Sequence, residues 1–146
     1  MSDLHLLDAH DQAALLTSGD VSSTELVQHH LDRVDAFDQR LGAFVTVTAE
    51  AALAEARRVD ERRARGQDLA PFAGVPTAFK DLSATAGVRT TMGSVLMRDA
   101  IPSVDAYAVA LVRRAGFISL GKTNTPEFGL SSYTDNALVG PARTPW

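Results

Sequence analysis

A lysine that closes an apolar strand is a candidate base. In Gly74-Val75-Pro76-Thr77-Ala78-Phe79-Lys80-Asp81 a single ammonium group stands at the end of a run with no other charge before it. Held among Val75, Ala78 and Phe79, it would lose hydration, which disfavours the charged form and leaves an amine able to accept a proton. A lysine in such a place more often simply reaches solvent, so the catalytic reading needs support from the rest of the chain. A second dense stretch follows, Gly121-Lys122-Thr123-Asn124-Thr125-Pro126-Glu127-Phe128-Gly129, and then Asp135-Asn136 and Gly140-Pro141-Ala142-Arg143-Thr144-Pro145-Trp146.

Several other chemistries can be set aside. Gly116 to Thr123 satisfies the phosphate-loop pattern G-x-x-x-x-G-K-[ST], but the context is wrong. A true phosphate loop follows a strand and opens a helix at its lysine; here a helical pattern precedes Gly116, the intervening residues read as a strand, and Pro126 obstructs a helix from Lys122. Gly129-Leu130-Ser131 begins a nucleophile elbow, yet Tyr133 occupies its final glycine position. His5, His10, His29 and His30 lie on what read as polar helix surfaces, without metal-ligand spacing, so neither a histidine triad nor a zinc site is expected. No metal and no organic cofactor is implied.

The elements that must position these residues follow from periodicity. Helices are expected over 8–18, 23–37, 49–65 and 104–115, and strands over 43–48, 75–80 and 117–120. Ser22-Ser23-Thr24-Glu25 supplies a capping box before Val27, Leu31, Val34 and Phe37, and Thr48 is placed to cap the alanine-rich third helix. Val104, Ala108, Leu111 and Ala115 form the stripe expected to face the core in the fourth helix, begun by Ser103 or Asp105 and stopped by Gly116. The stretch Thr85 to Ser94, rich in small and hydroxyl residues, reads as an irregular loop near the chemistry, and most of the chain beyond Gly121 as loop with a turn of helix at Glu127. Strands alternating with helices indicate an α/β fold with a partly parallel sheet. Three strands leave two edges unpaired, so the chain reads as the opening part of something larger.

At 146 residues and 45% hydrophobic content the chain can build a core. A net charge of −4 argues against a nucleic-acid partner, and the basic run Arg57 to Arg65, interleaved with Asp60 and Glu61, reads as a solvated helix face. The absence of cysteine fits a reducing compartment. The acidic N-terminus is unlike a signal peptide, and no apolar run approaches the roughly 20 residues that span a bilayer. A cytoplasmic protein without a membrane partner is expected.

Taken together, Gly-Val-Pro-x-x-x-Lys-Asp, Arg89-Thr90-Thr91-Met92-Gly93-Ser94, Gly-Lys-Thr-Asn-x-Pro-Glu-Phe, Thr-Asp-Asn and Gly-Pro-x-Arg-x-Pro-Trp resemble the amidase signature family. The opening Gly19-Asp20-Val21-Ser22-Ser23-x-Glu25-Leu26 and the strand Leu41-Gly42-Ala43-Phe44-Val45 resemble it too. The resemblance implies the N-terminal part of an α/β/α sandwich with a mixed sheet. It also implies hydrolysis of carbon–nitrogen bonds other than peptide bonds by a serine nucleophile, a bridging serine on a cis peptide and a lysine, with Lys80 in the lysine's place. It implies that Gly129, Leu130 and Ser131 line the substrate pocket, with Phe128 and Leu130 hinting at an apolar acyl side of a small amide; Lys122 and Asn124 match the motif in structural roles.

The family's Gly-Gly-Ser-Ser-Gly-Gly segment, with the nucleophile, is expected beyond Trp146, so these residues alone should be inactive. The catalytic subunit of glutamyl-tRNA amidotransferase is a second reading, although that branch usually carries Met-Asp-Glu-Phe where Thr125-Pro126-Glu127-Phe128 stands. A third is a non-catalytic remnant that pairs its sheet edge with a complementary C-terminal fragment or with a second copy of itself.

Overall fold

The computed structural model describes residues 3–146. Four helices, α1 (Ala9–Ser18), α2 (Ser23–Leu41), α3 (Ala49–Ala64) and α4 (Tyr107–Arg114), accompany three strands, β1 (Phe44–Val47), β2 (Pro76–Lys80) and β3 (Ile118–Thr123). Short 3-10 turns lie at Leu4–Leu6, Val95–Met97 and Glu127–Gly129. The sheet order is β1-β3-β2, with β1 antiparallel and β2 parallel to the central β3. It is a mixed α/β sheet, as the alternation of elements indicated.

The start of α2 is fully satisfied. The Ser22 hydroxyl accepts the Glu25 N–H at 3.1 Å while Glu25 accepts the Ser22 N–H at 2.9 Å, the reciprocal box that the sequence spelled out. The two N–H groups between them, of Ser23 and Thr24, donate to the Asp60 carboxylate at 2.7 and 2.9 Å. Asp60 therefore joins α3 to the N-terminus of α2, where a negative charge also meets the positive end of the helix dipole. This corrects the reading of the Arg57–Arg65 run as a wholly solvated face.

Two apolar clusters hold the layers together. Val27 and Leu31 of α2 meet Ala52, Ala56 and Val59 of α3 over Ile118 and Leu120 of β3. Leu4, Leu16, Val21, Leu26 and Val75 form the second cluster, where α1 and α2 close over the entry to β2. The stripe expected in α4 is not the one buried: Val109 faces the core, while Val104 and Leu111 are exposed. Asp105 does not cap that helix because its carboxylate accepts the Ala86 N–H and pairs with Arg113. Thr48 occupies the position before α3 without capping it, its hydroxyl turning to the Ser119 carbonyl instead. Phe37 is half exposed beneath the Arg33 guanidinium, and α2 runs on to Leu41.

β3 is longer than its apolar core, reaching Thr123 through Gly121 and Lys122. Its register with β2 slips by one residue, from Thr77 opposite Ser119 to Phe79 opposite Lys122. Gly121 makes the slip possible. Its φ is +146°, and a Cβ there would lie 2.0 Å from the Thr46 carbonyl oxygen of β1.

Candidate functional site

β2 and β3 run parallel and end side by side, Lys80 opposite Thr123. Ligands of open α/β sheets gather outside the carboxyl ends of such strands, and both loops of interest leave from this end. Side chains alternate along β2: Phe79 and Asp81 are buried, and Lys80 between them is exposed. Within residues 3–146 Lys80 is exposed, on the face of β2 away from Phe79, so Phe79 does not enclose it as expected.

The backbone at Lys80 is tightly fixed. Asp81 donates its N–H to the Thr123 carbonyl and accepts the Met92 N–H on its own carbonyl, both at 3.0 Å. Its carboxylate accepts the N–H and the hydroxyl of Thr91, at 3.0 and 2.5 Å. The Lys80 carbonyl accepts the Ser83 N–H at 2.9 Å.

The buried lysine is Lys122, fully enclosed. Its Nζ donates to the Ser83 carbonyl, to Thr85 Oγ1 at 2.8 Å and to Thr90 Oγ1 at 3.0 Å. Both threonine hydroxyls give their own protons to carbonyls, of Ser83 and Val88, so each oxygen must accept from Lys122. Three acceptors consume three N–H donors, the full complement of an ammonium group. Burial pushes the proton affinity of Lys122 below that of an ordinary lysine, and the Asp81 carboxylate, 4.0 Å away, opposes that shift. The hydrogen-bond count favours the cation. The hydroxyl-rich stretch from Thr85 to Ser94 supplies Thr85, Thr90 and Thr91, all buried here around the Lys122–Asp81 charge pair; that it gathers around Lys122 could not be read from spacing, since the acceptors of the ammonium group lie 32 to 39 positions away.

The three residues expected to line a substrate pocket lie together but not alike. Leu130 and Ser131 face an open cleft of about 680 Å³ whose wall also includes Phe128, Tyr133 and Asn136. Gly129 packs instead on Leu82, two residues beyond Lys80; with φ of +73°, a Cβ on it would lie 2.8 Å from Leu82 Cδ1. The Phe128 N–H donates to the Met92 carbonyl at 2.7 Å, and both residues adopt the left-handed backbone that non-glycine residues seldom take. This segment is thus tied through Met92 to Asp81, next to Lys80. Asn124 donates to the Gly42 and Gly140 carbonyls at 2.8 and 3.1 Å and accepts from Asn136 at 2.6 Å, tying the segment around Asn136 and Gly140 to the junction between α2 and β1.

Lys122 lies inside β3, paired with β1 and β2, and no helix begins there, so the phosphate-loop pattern has none of its required context. Among the described residues no group of three or more histidine or acidic side chains is placed to hold a metal, and no helix is long and apolar enough to cross a membrane. The histidines are not all surface groups. His30 is half buried, with Nε2 enclosed and unpartnered, and His5 Nδ1 lies 3.3 Å from His29 Nε2.

The amidase family profile matches residues 25–146. The chain belongs to the amidase family. One component of the glutamyl-tRNA(Gln) amidotransferase from Desulforapulum autotrophicum is 47% identical over 144 residues, covering 99% of this chain and 29% of that protein. Among solved amidase-family structures, a peptide amidase from Stenotrophomonas maltophilia superposes with a TM-score of 0.85 at 34% identity, over 94% of this chain and 30% of that one. A 6-aminohexanoate cyclic dimer hydrolase gives a TM-score of 0.83 at 36% identity, over 96% and 28%. The chain therefore spans less than a third of the length of each of these relatives.

Proposed function

We propose that these residues supply the general base of an amide-hydrolysing enzyme, and that the base is Lys80. The chain has two lysines. Lys122 has all three protons committed to buried acceptors, whereas Lys80 stands exposed at the carboxyl end of its strand on a rigid backbone. That contrast is the observation that carries the proposal, and the family resemblance of Gly74 to Asp81 supports it.

In this reading Lys80 takes a proton, through a bridging serine, as a serine hydroxyl attacks the amide carbonyl. It returns that proton to the departing nitrogen, and water then releases the acyl group. In this reading both serines are supplied from outside these residues. Exposed apolar side chains, Leu96, Ile101, Val104 and Tyr107 among them, are consistent with further protein packing there. The cleft bearing Leu130 and Ser131 receives the acyl side of a small amide, and Gly129 shapes its floor against Leu82. A cytoplasmic setting belongs to the same reading.

Lys80→Ala in the full-length protein is expected to lower kcat/KM for amide hydrolysis by at least about a hundredfold, the lower end of what a general base contributes. Turnover within a few-fold of wild type would refute the assignment.

The 47% identity to an amidotransferase component supports a second reading, delivery of ammonia to glutamyl-tRNA. Against it stands Thr125-Pro126 in place of that branch's usual Met-Asp. Ammonia transfer to glutamyl-tRNA that depends on partner proteins would decide for the second reading; ammonia release from simple amides without partners would decide for the first.

A further inference from the structure

Asp81 and Lys122 sit behind the proposed base, on the opposite side of β2 from the Lys80 side chain. Both are fully buried, and burying an ion pair is costly unless its remaining hydrogen-bonding groups are satisfied. All three Lys122 protons are satisfied, as is one Asp81 oxygen. Asp81 Oδ1 has no hydrogen-bond partner and lies 4.0 Å from Lys122 Nζ, so the pair is held by charge and not by a direct bond. The next charges are Asp105 and Arg113, paired with each other at 3.0 Å. In other proteins, replacing a buried ion pair by well-packed apolar residues is often neutral or stabilising. Retaining two opposite charges directly behind a proton acceptor calls for another account.

We infer that Asp81 and Lys122 form a charge-balanced clamp that positions Lys80 and keeps the field at its amine close to neutral. The inference rests on Lys80 being the base. Asp81 fixes the backbone after Lys80 through Thr123, Met92 and Thr91, and Lys122 offsets the charge that Asp81 places behind the base, across β2 from its amine. Both are positioning residues: neither reaches the cleft.

The test is the pH dependence of kcat/KM for amide hydrolysis by the full-length protein. Lys122→Met keeps the length of the side chain and leaves the Asp81 anion uncompensated. That anion favours protonated Lys80, so the ascending limb should move to higher pH by about one unit. Asp81→Asn leaves the Lys122 cation uncompensated, and the limb should move to lower pH by about the same amount. The double variant, without either charge, should return the limb to its wild-type position.

A packing role alone would lower stability or activity in both single variants without driving the limbs apart. Limbs that stay in place, or that move in the same direction, overturn the clamp. If only one single variant folds, the sign of its shift decides; if neither does, a double variant whose limb is displaced by about a unit or more overturns it. Loss of activity in Lys80→Ala with unmoved limbs refutes the clamp alone, while wild-type turnover in Lys80→Ala removes both the base and the clamp.

Discussion

Gly121→Ala tests the geometry that separates the two lysines. The residue has φ of +146°, a conformation that side-chain-bearing residues adopt at a cost of about 1–3 kcal/mol. Its new Cβ would also lie 2.0 Å from the Thr46 carbonyl oxygen and 3.0 Å from Val47 Cα, both backbone atoms of β1 that cannot swing aside. Forcing an extra carbon into a packed site adds about 1–3 kcal/mol. The substitution should therefore destabilise the fold by about 2–6 kcal/mol, summing the two ranges, a large share of the roughly 5–15 kcal/mol that holds an ordinary domain together. Equilibrium urea unfolding measures the loss, and amide exchange at Val47 and Thr48, flanking the contact, locates it. A loss below about 0.5 kcal/mol, the level of an ordinary surface substitution, would mean that β1 and β3 do not approach as described, and the register slip would then need a cause other than Gly121.

Asp60→Ala removes the acceptor for the Ser23 and Thr24 N–H groups, and should cost about 1–2 kcal/mol, as loss of a helix cap does. Burial raises the proton affinity of this carboxyl, but its hydrogen bonds to Thr24 and Ser23 together outweigh that and hold it below the usual carboxylate range. Its contribution is therefore present above about pH 4 and lost as pH falls through the lower folded value; the wild-type and Ala unfolding curves should converge in acid, and a constant gap would refute the linkage. His30 has the opposite chemistry and the same direction: burial first, then His29, lower its pKa to about 4. The unfolded chain then binds the extra proton between about pH 6.5 and 4, so stability falls on acidification across that window. His30→Phe should flatten that part of the profile of Tm against pH, and an unchanged slope would refute it.

What could be read from the residues was local or periodic. The Ser22–Glu25 box, the alternation of strands and helices, and the mixed sheet follow from short-range rules that tertiary contacts did not overrule. The misreadings share a long-range cause. Asp60 looked solvated because its partners lie 37 and 36 positions away in the chain. Asp105 looked like a helix cap because its competing donor, Ala86 N–H, is equally invisible in a linear pattern. The stripe on α4 was assigned by spacing alone, and in a helix as short as Tyr107–Arg114 a shift of one residue moves it off the core. At the site, Leu130 and Ser131 share one cleft; Lys122 has the structural role its motif implied, but its full burial, and the exposure of Lys80, depend on contacts that spacing does not reveal.

The difference between the two lysines has a geometric origin. Continuing the early register of β2 on β3, Thr77 opposite Ser119, would set Phe79 against Gly121 and Lys80 against Lys122. Two ammonium groups would then lie side by side on one face, an arrangement that destabilises a strand pair. The slip at Gly121 moves Lys122 opposite Phe79, and because side chains alternate, onto the face away from Lys80. One lysine is thereby enclosed with Asp81 and three oxygen acceptors, and the other is left free at the strand end. A glycine whose only chemistry is the absence of a side chain thus decides which of two identical amines can exchange a proton with its surroundings.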